Sequence, residues 1–366
     1  MNELLKLFDP KLPLEEASTI PNRWYTDARM AAAERDAVFA RSWQCVGRIE
    51  QVRDAGSYFT QEIAGEPLLV VRGSDGILRG FFNVCRHRAA PILDDACGSV
   101  NKLRCRYHGW TYDLSGQLRG TPEFDGVCSF DKSTQGLVPI AVAEWGPFVW
   151  VNLHMQVEPL PAYLAPLPEW ANARDAFAGL QWQSRVQYEV ACNWKVYVDN
   201  YLDGGYHVNS VHPALAGVID YREYRTELFA RCSLQSSPLK PGEGAVGATR
   251  TGDAAYWWIY PNFMLNLYSG VMDTNWVLPL GPDRCAVIFD FYFQHGATDE
   301  FIQQSLDVAN VVQVEDVQIC EQVQRGLRSR SYTTGRFSVK REAGGYHFHR
   351  LLAASLSLAG SASDGF

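Results

Sequence analysis

Phe82 to Tyr112 reads FNVCRHRAAPILDDACGSVNKLRCRYHGWTY, and this stretch decides the fold. It holds Cys85-x-His87, seventeen intervening residues, and then Cys105-x-x-His108. Two thiolates on one iron and two imidazoles on the other are the ligand set of a Rieske-type [2Fe–2S] cluster, whose potential lies above that of an all-cysteine cluster. Each short Cys/His pair supplies one ligand to each iron, so the spacing predicts two loops closing on the cluster from either side. Gly109, Trp110 and Tyr112 suit a tight turn over a shielded centre. A zinc site would favour a close Cys pair followed by a His pair, which mixed Cys–His pairs do not match.

Short β-like runs surround this stretch. Tyr58–Ile63, Pro67–Arg72 and Ile77–Val84 read as strands, the last two joined by the hairpin turn Gly73-Ser74-Asp75-Gly76, and Phe148–Leu153 closes the region. Before it, Asp27–Ser42 has an acidic start and Ala-rich turns and reads as a helix. After it, the Pro-rich stretch 158–168 reads as a linker. In the second half Val186–Val190, Tyr256–Tyr268 and Arg284–Phe293 are strand-like, Asn193–Leu202 has helical spacing, and a long helix is expected from Glu300 to about Arg325. The last dozen residues look disordered. The expected organisation is an N-terminal segment (1–42) packing on the catalytic domain, an all-β Rieske domain (43–157) and an α+β catalytic domain (158–366).

A second centre is written in the catalytic half. His207 and His212 lie five apart, at the end of Asn193–His207 (NWKVYVDNYLDGGYH) and the following VNSVH. Two imidazoles with a distant carboxylate form the facial triad that holds non-haem Fe(II) and leaves positions open for O₂. The stretch 311–326 offers Glu315, Asp316 and Glu321 for the carboxylate, and pattern alone leaves Glu315 and Asp316 open.

Composition removes other classes. The 366 residues carry a net charge of −8, so the basic footprint of a nucleic-acid binder is missing. An acidic surface suits a cationic substrate but serves equally for solubility. No apolar run reaches the roughly 18 residues of a membrane helix; Leu137–Leu153 is broken by Pro139, Glu144, Gly146 and Pro147. The N-terminus lacks the pattern of a signal or transit peptide, which leads to an expected cytoplasmic location. The odd count of nine cysteines argues against a disulfide framework, and the seven outside the cluster motif are expected to be buried thiols. Gly242-x-Gly244-x-x-Gly247 follows no strand, so it reads as a flexible loop and not as a dinucleotide site. With no flavin site and no plant-type ferredoxin pattern, electrons must come from NAD(P)H through a separate reductase or ferredoxin. His347 and His349 alternate as on a strand and are expected to support the active-site wall or the core. Tyr256, Trp257, Trp258, Tyr260 and Trp276 are candidates for a cation–π cage, of which alternation allows only some.

The two metal motifs together resemble the catalytic α subunits of Rieske non-haem iron oxygenases, over nearly the whole chain. More narrowly, Trp24–Asp27, Asp199–Val208 (DNYLDGGYHV), Tyr260–Asn266 (YPNFMLN), Asp273–Asn275 with Leu278–Arg284, Glu315–Leu327 and His347–Arg350 are similar to plant choline monooxygenases and their bacterial relatives. The resemblance implies an α+β, helix-grip-like catalytic domain with an antiparallel sheet. It implies Cys85, His87, Cys105 and His108 as cluster ligands and His207, His212 and Asp316 as iron ligands. It also implies an acid that links the first iron histidine to the cluster of a neighbouring subunit, hence a homotrimer. Asp203 is the counterpart here, with Asn200 beside it as a second catalytic candidate. There is one departure: many members place the acid three positions before the histidine, where this chain has Gly204, which keeps Asp199 as an alternative. The expected reaction is monooxygenation of a small quaternary amine, choline first, giving betaine aldehyde hydrate. N-demethylation of a betaine or carnitine, aromatic dioxygenation, and a bare Rieske electron carrier are the alternatives.

Overall fold

The computed structural model describes residues 2–240 and 244–361. The chain divides into two compact units, Phe39–Tyr163 and a second built from Met1–Val38 with Leu164–Phe366.

The first unit is all β. Its strands are β1 (Gln44–Arg48), β2 (Ser57–Ile63), β3 (Glu66–Arg72), β4 (Leu78–Phe82), β5 (Cys97–Ser99), β6 (Leu103–Arg104), β7 (Thr111–Tyr112), β8 (Leu118–Gly120), β9 (Pro139–Trp145) and β10 (Phe148–Asn152). They form an antiparallel sheet in the order β1-β10-β9-β4-β3-β2-β5 and a small sheet β6-β7-β8. Leu69, Val71, Phe81, Leu103, Trp110 and Tyr112 make a common core that also takes in Cys85 and Cys105. The metal-ligand candidates thus sit on loops whose bases are fixed by apolar packing.

In the second unit β11 (Leu180–Val190), β12 (Arg225–Leu228), β13 (Cys232–Pro238), β14 (Asp253–Ile259), β15 (Phe263–Tyr268), β16 (Val271–Gly281) and β17 (Arg284–Gln294) form one antiparallel sheet. Its order, β11-β17-β16-β15-β14-β13-β12, is a meander with β11 swung to the far edge. The helix Trp194–Tyr201 packs on β16 and β17 and against the long helix Asp299–Leu327. The long helix starts where Thr298 accepts the Phe301 N–H (3.2 Å), with Asp299 and Glu300 in the first turn complementing its dipole. The short helix Ala28–Glu34 is held to Trp194–Tyr201 by a buried ion pair, Lys195 Nζ to Glu34 Oε1 at 2.6 Å, and by Trp194 Nε1 donating to Glu34 Oε2 at 2.8 Å.

Several expectations change. The helix expected over Asp27–Ser42 is α-helical only to Glu34 and widens into a π-turn over Arg35–Phe39. Tyr256–Tyr268 is a hairpin of β14 and β15, because Pro261 has no N–H to donate to a ladder. The supposed linker carries short helices at Leu160–Tyr163 and Leu167–Asn172, anchored by buried Leu160, Tyr163, Leu164 and Leu167. Part of the glycine-rich loop is a helical turn, Gly244–Thr249; Gly242 lies outside the described residues. His347 and His349 lie on the helix Ala343–Ser361, since the two-residue alternation gives way to buried His349, Leu352, Ala353 and Leu356 at helical spacing. That helix also covers most of the tail read as disordered, while 362–366 lie outside the described residues. Of the seven remaining cysteines, Cys97 and Cys128 are exposed.

Candidate active site

The Cys/His motifs form two loops of the same construction. In one, Cys85 N–H donates to Ala90 O (2.8 Å) and Ala89 N–H to Cys85 O (3.0 Å). In the other, Cys105 N–H donates to Trp110 O (2.9 Å) and Gly109 N–H to Cys105 O (3.0 Å). The fifth residue of each loop turns through positive φ, 58° at Ala89 and 72° at Gly109. Glycine reaches that region without penalty, and alanine is held there by the two hydrogen bonds. The His87 and His108 rings meet edge-to-face at 4.6 Å, and His87 stacks on Trp110 at 4.8 Å. Tyr112 Oη lies 3.4 Å from Cys85 Sγ and accepts the Arg86 N–H at 3.1 Å. His87 Nδ1 is buried with no hydrogen-bond partner among the described residues. A buried, unpaired imidazole nitrogen between two thiol-bearing loops is what a cluster ligand requires, so these residues fit a [2Fe–2S] group.

The second constellation begins at the end of helix Trp194–Tyr201. Gly204 and Gly205 both adopt positive φ, 69° and 70°, turning the chain so that Asp203 and His207 meet. A Cβ on Gly204 would stand 2.1 Å from the Arg341 carbonyl oxygen. Position 204 therefore admits no side chain, and the acid that meets His207 is Asp203. Asp203 accepts from Tyr206 N–H (3.0 Å), His207 N–H (3.0 Å) and His207 Nδ1 (2.6 Å).

His207 Nε2 then points to His212 Nε2 at 3.1 Å, and Asp316 Oδ1 lies 3.1 Å from His212 Nε2 and 3.7 Å from His207 Nε2. Neighbouring ligands on one face of an octahedral ion, bound at about 2.1 Å, stand about 3 Å apart. The donor set therefore fits a facial two-His, one-carboxylate site, and its three residues converge as a metal site would require. Both outward nitrogens are held by carboxylates, His207 by Asp203 and His212 by Glu315 Oε2 at 2.7 Å. Such partners fix the ring tautomer and orientation. The two acids left open by the sequence thus approach His212 from opposite sides, Asp316 at Nε2 and Glu315 at Nδ1. Asn200 Nδ2 donates to Asp316 Oδ1 at 2.6 Å. Glu321 instead accepts the Ala191 N–H at 3.1 Å. Asp199 pairs with Tyr25 Oη and with His349 Nε2 (2.8 Å).

A cavity of about 130 Å³ opens beside the triad. Its wall includes Tyr197, Tyr201, Tyr224, Tyr256 and Tyr268, with Leu215, Ile219 and Phe289. Burial raises the pKa of all five tyrosines, so their hydroxyls stay protonated. A hydrogen-bond chain stiffens the back wall. Tyr201 Oη donates to Asn266 Oδ1 (2.7 Å), Asn266 Nδ2 to Asp273 Oδ2 and Asn275 Oδ1 (both 2.7 Å), and Tyr197 Oη to Gln313 (2.6 Å). Asp273 is buried, and desolvation pushes its pKa up against the opposing pull of Arg250 and Asn266. Of the five cage candidates Tyr256 faces the cavity. Trp257 packs on Trp170 and Phe229, and Trp258 on Phe348. The tyrosines the sequence reading missed lie on separate elements, a helix, a loop and β15, which no local periodicity links.

Comparison with known proteins agrees with this arrangement. Residues 42–131 match the family model described as the Rieske [2Fe–2S] domain, and residues 177–357 match the ring hydroxylating alpha subunit (catalytic domain). The chain is 40% identical to a chloroplastic choline monooxygenase of Arabidopsis thaliana, over 98% of this chain and 87% of that protein. It is 34% identical to the carnitine monooxygenase oxygenase subunit of Escherichia coli (strain K12), over 93% and 94%. Among solved structures, a quaternary ammonium Rieske monooxygenase in complex with L-carnitine superposes with a TM-score of 0.83 at 30% identity, covering 94% of this chain and 99% of that one. A naphthalene 1,2-dioxygenase from Rhodococcus, at 19% identity and a TM-score of 0.76, shares the fold.

Proposed function

Because the chain belongs to the Rieske oxygenase family of ring-hydroxylating alpha subunits, we propose that it is a monooxygenase of small quaternary ammonium compounds. One observation carries this reading: the His207–His212–Asp316 triad forms part of the wall of a tyrosine-rich cavity that also holds the buried carboxylate of Asp273. A quaternary nitrogen has no N–H, so it is recognised by aromatic faces and by a counter-charge, and this cavity supplies both. Choline is the substrate the names of the most similar relatives favour; oxygenation at its alcohol carbon gives betaine aldehyde hydrate. Carnitine- or betaine-type compounds are the second reading, favoured by Arg250 in the same cavity wall.

In the proposed assignment Cys85, Cys105, His87 and His108 hold the [2Fe–2S] cluster, and His207, His212 and Asp316 hold the mononuclear iron. When bound, the two centres supply single electrons and the reductive activation of O₂, one atom of which enters a C–H bond while the other leaves as water. Asp203 and Glu315 keep the two imidazoles in the tautomer that turns both Nε2 atoms inward. Asn200 fixes the Asp316 carboxylate, and the tyrosine hydroxyls order the pocket wall. Asp203 is also proposed to bridge to the cluster of a neighbouring chain in a homotrimer, with electrons arriving from NAD(P)H through a separate reductase. In this reading residues 1–42 are an N-terminal segment, 43–157 the Rieske domain and 158–366 the catalytic domain. Among the described residues no helix is long and apolar enough to cross a membrane. We propose a cytoplasmic location; the plant relatives are named chloroplastic.

The test is turnover of the iron-loaded protein with a surrogate reductase, NADH and O₂, offering choline, glycine betaine, carnitine and an aromatic acid. An oxygenated or demethylated quaternary amine, read by mass spectrometry, is the expected product. Turnover of the aromatic acid alone refutes the substrate class.

A further inference from the structure

Arg250 is 5% exposed and lines the cavity beside the triad. Its guanidinium lies over the Tyr268 ring at 4.6 Å, donates to the adjacent Thr249 carbonyl at 3.3 Å and also hydrogen-bonds the Tyr268 side chain. No carboxylate among the described residues pairs with it, although Asp273 feels its charge through space. Asp273 is also 5% exposed, and its Oδ2 is occupied by Asn266. A buried guanidinium has five N–H donors and cannot lose its proton, so each donor left unused is costly unless a ligand takes it. Its planar fork matches a carboxylate, which it can grip through two parallel hydrogen bonds.

Resting on the quaternary ammonium reading, we propose that Arg250 is the carboxylate anchor of the substrate pocket, and that the preferred substrate is a zwitterion joining a quaternary ammonium group to a carboxylate. The pocket then has two poles. Asp273 and the tyrosine faces take the cation, and the free edge of Arg250 takes the anion. Choline has the cation alone, so in a cavity of about 130 Å³ its charge shares the space with an unneutralised guanidinium. A betaine-type zwitterion satisfies both poles and leaves neither charge buried alone. Arg250 thereby becomes a specificity-determining residue within the class.

The experiment compares kcat/KM for choline, glycine betaine, L-carnitine and γ-butyrobetaine in the iron-loaded wild type, Arg250→Gln and Arg250→Lys, with cluster absorbance and iron content recorded for each. Wild type is expected to favour at least one carboxylate-bearing compound over choline by roughly tenfold or more, the worth of a charge-assisted hydrogen-bond pair. Arg250→Gln is expected to reduce that ratio by roughly 10–100-fold, mainly through KM, and Arg250→Lys to recover part of it. A wild type that prefers choline, or a ratio unmoved by Arg250→Gln in protein with normal iron content, overturns the proposal. The wild-type preference needs no variant, so a poorly folding Arg250→Gln leaves the test intact. If no quaternary amine is turned over, the quaternary ammonium reading itself fails, which is a different result from turnover that ignores the carboxylate.

Discussion

Substituting Asp203 separates two jobs assigned to one side chain. Its Oδ2 accepts from both His207 N–H and His207 Nδ1, and its Oδ1 accepts from Tyr206 N–H. Asp203→Ala removes all three bonds and frees the His207 ring, so iron affinity should fall by roughly 10–100-fold, or about 1.4–2.7 kcal/mol. Asp203→Asn can keep its carbonyl oxygen at the Oδ2 position and lose the bond from Tyr206, at a cost of about 1 kcal/mol. The asparagine variant should therefore retain iron and a normal cluster spectrum. It lacks the carboxylate charge that the proposed bridge needs, so turnover should collapse while iron content stays. Iron titration monitored by inductively coupled plasma analysis, beside single-turnover oxidation of the pre-reduced cluster, reads the two properties apart. Asp203→Asn oxidising its cluster and forming product at the wild-type rate would refute the bridge. Asp203→Ala binding iron as tightly as wild type would refute the positioning role.

Four further outcomes follow from the same geometry. Glu34→Ala leaves the Lys195 ammonium buried without its partner; urea unfolding should show a loss of about 3–5 kcal/mol. Gly204→Ala forces a Cβ against the Arg341 carbonyl in a left-handed turn, and a stability loss of about 1–3 kcal/mol or more should accompany iron loss, read by thermal unfolding and metal analysis. Tyr112→Phe removes the hydroxyl beside Cys85 Sγ; one hydrogen bond of about 1 kcal/mol corresponds to a fall of about 40 mV in cluster potential, measurable by redox titration. Burial raises the Asp273 pKa, so ionising this acid costs more in the folded state than in the unfolded chain. Its contribution is fully present below the unfolded carboxyl pKa and is lost as pH rises through the folded value. Asp273→Asn should then gain stability over wild type as pH rises, and an unchanged pH–stability difference would contradict it.

How much was legible in the sequence depended on whether the information was local. The two cluster loops could be read because each ligand pair lies within four residues and the turn glycine and the aromatics sit beside it. The long helix was visible as far as its ends because its apolar residues recur over many turns. His207 and His212 are likewise near neighbours, whereas choosing between Glu315 and Asp316 required knowing that His212 stands between them. The substrate wall was not legible. Tyr197, Tyr224, Tyr256 and Tyr268 come from separate elements and meet only through sheet register, as when Tyr256 pairs with Asn266 across the β14–β15 hairpin. Arg250 gave no signal at all, since a lone arginine after a glycine-rich turn has no pattern until its burial is known.

The central claim is that one chain holds two distinct iron centres, and metal stoichiometry tests it most directly. Purified, reconstituted protein should carry about three iron atoms and about two acid-labile sulfides per chain. His207→Ala should carry about two of each, keep the cluster's visible spectrum and lose all turnover. A His207→Ala protein that keeps its third iron and its turnover would contradict the account.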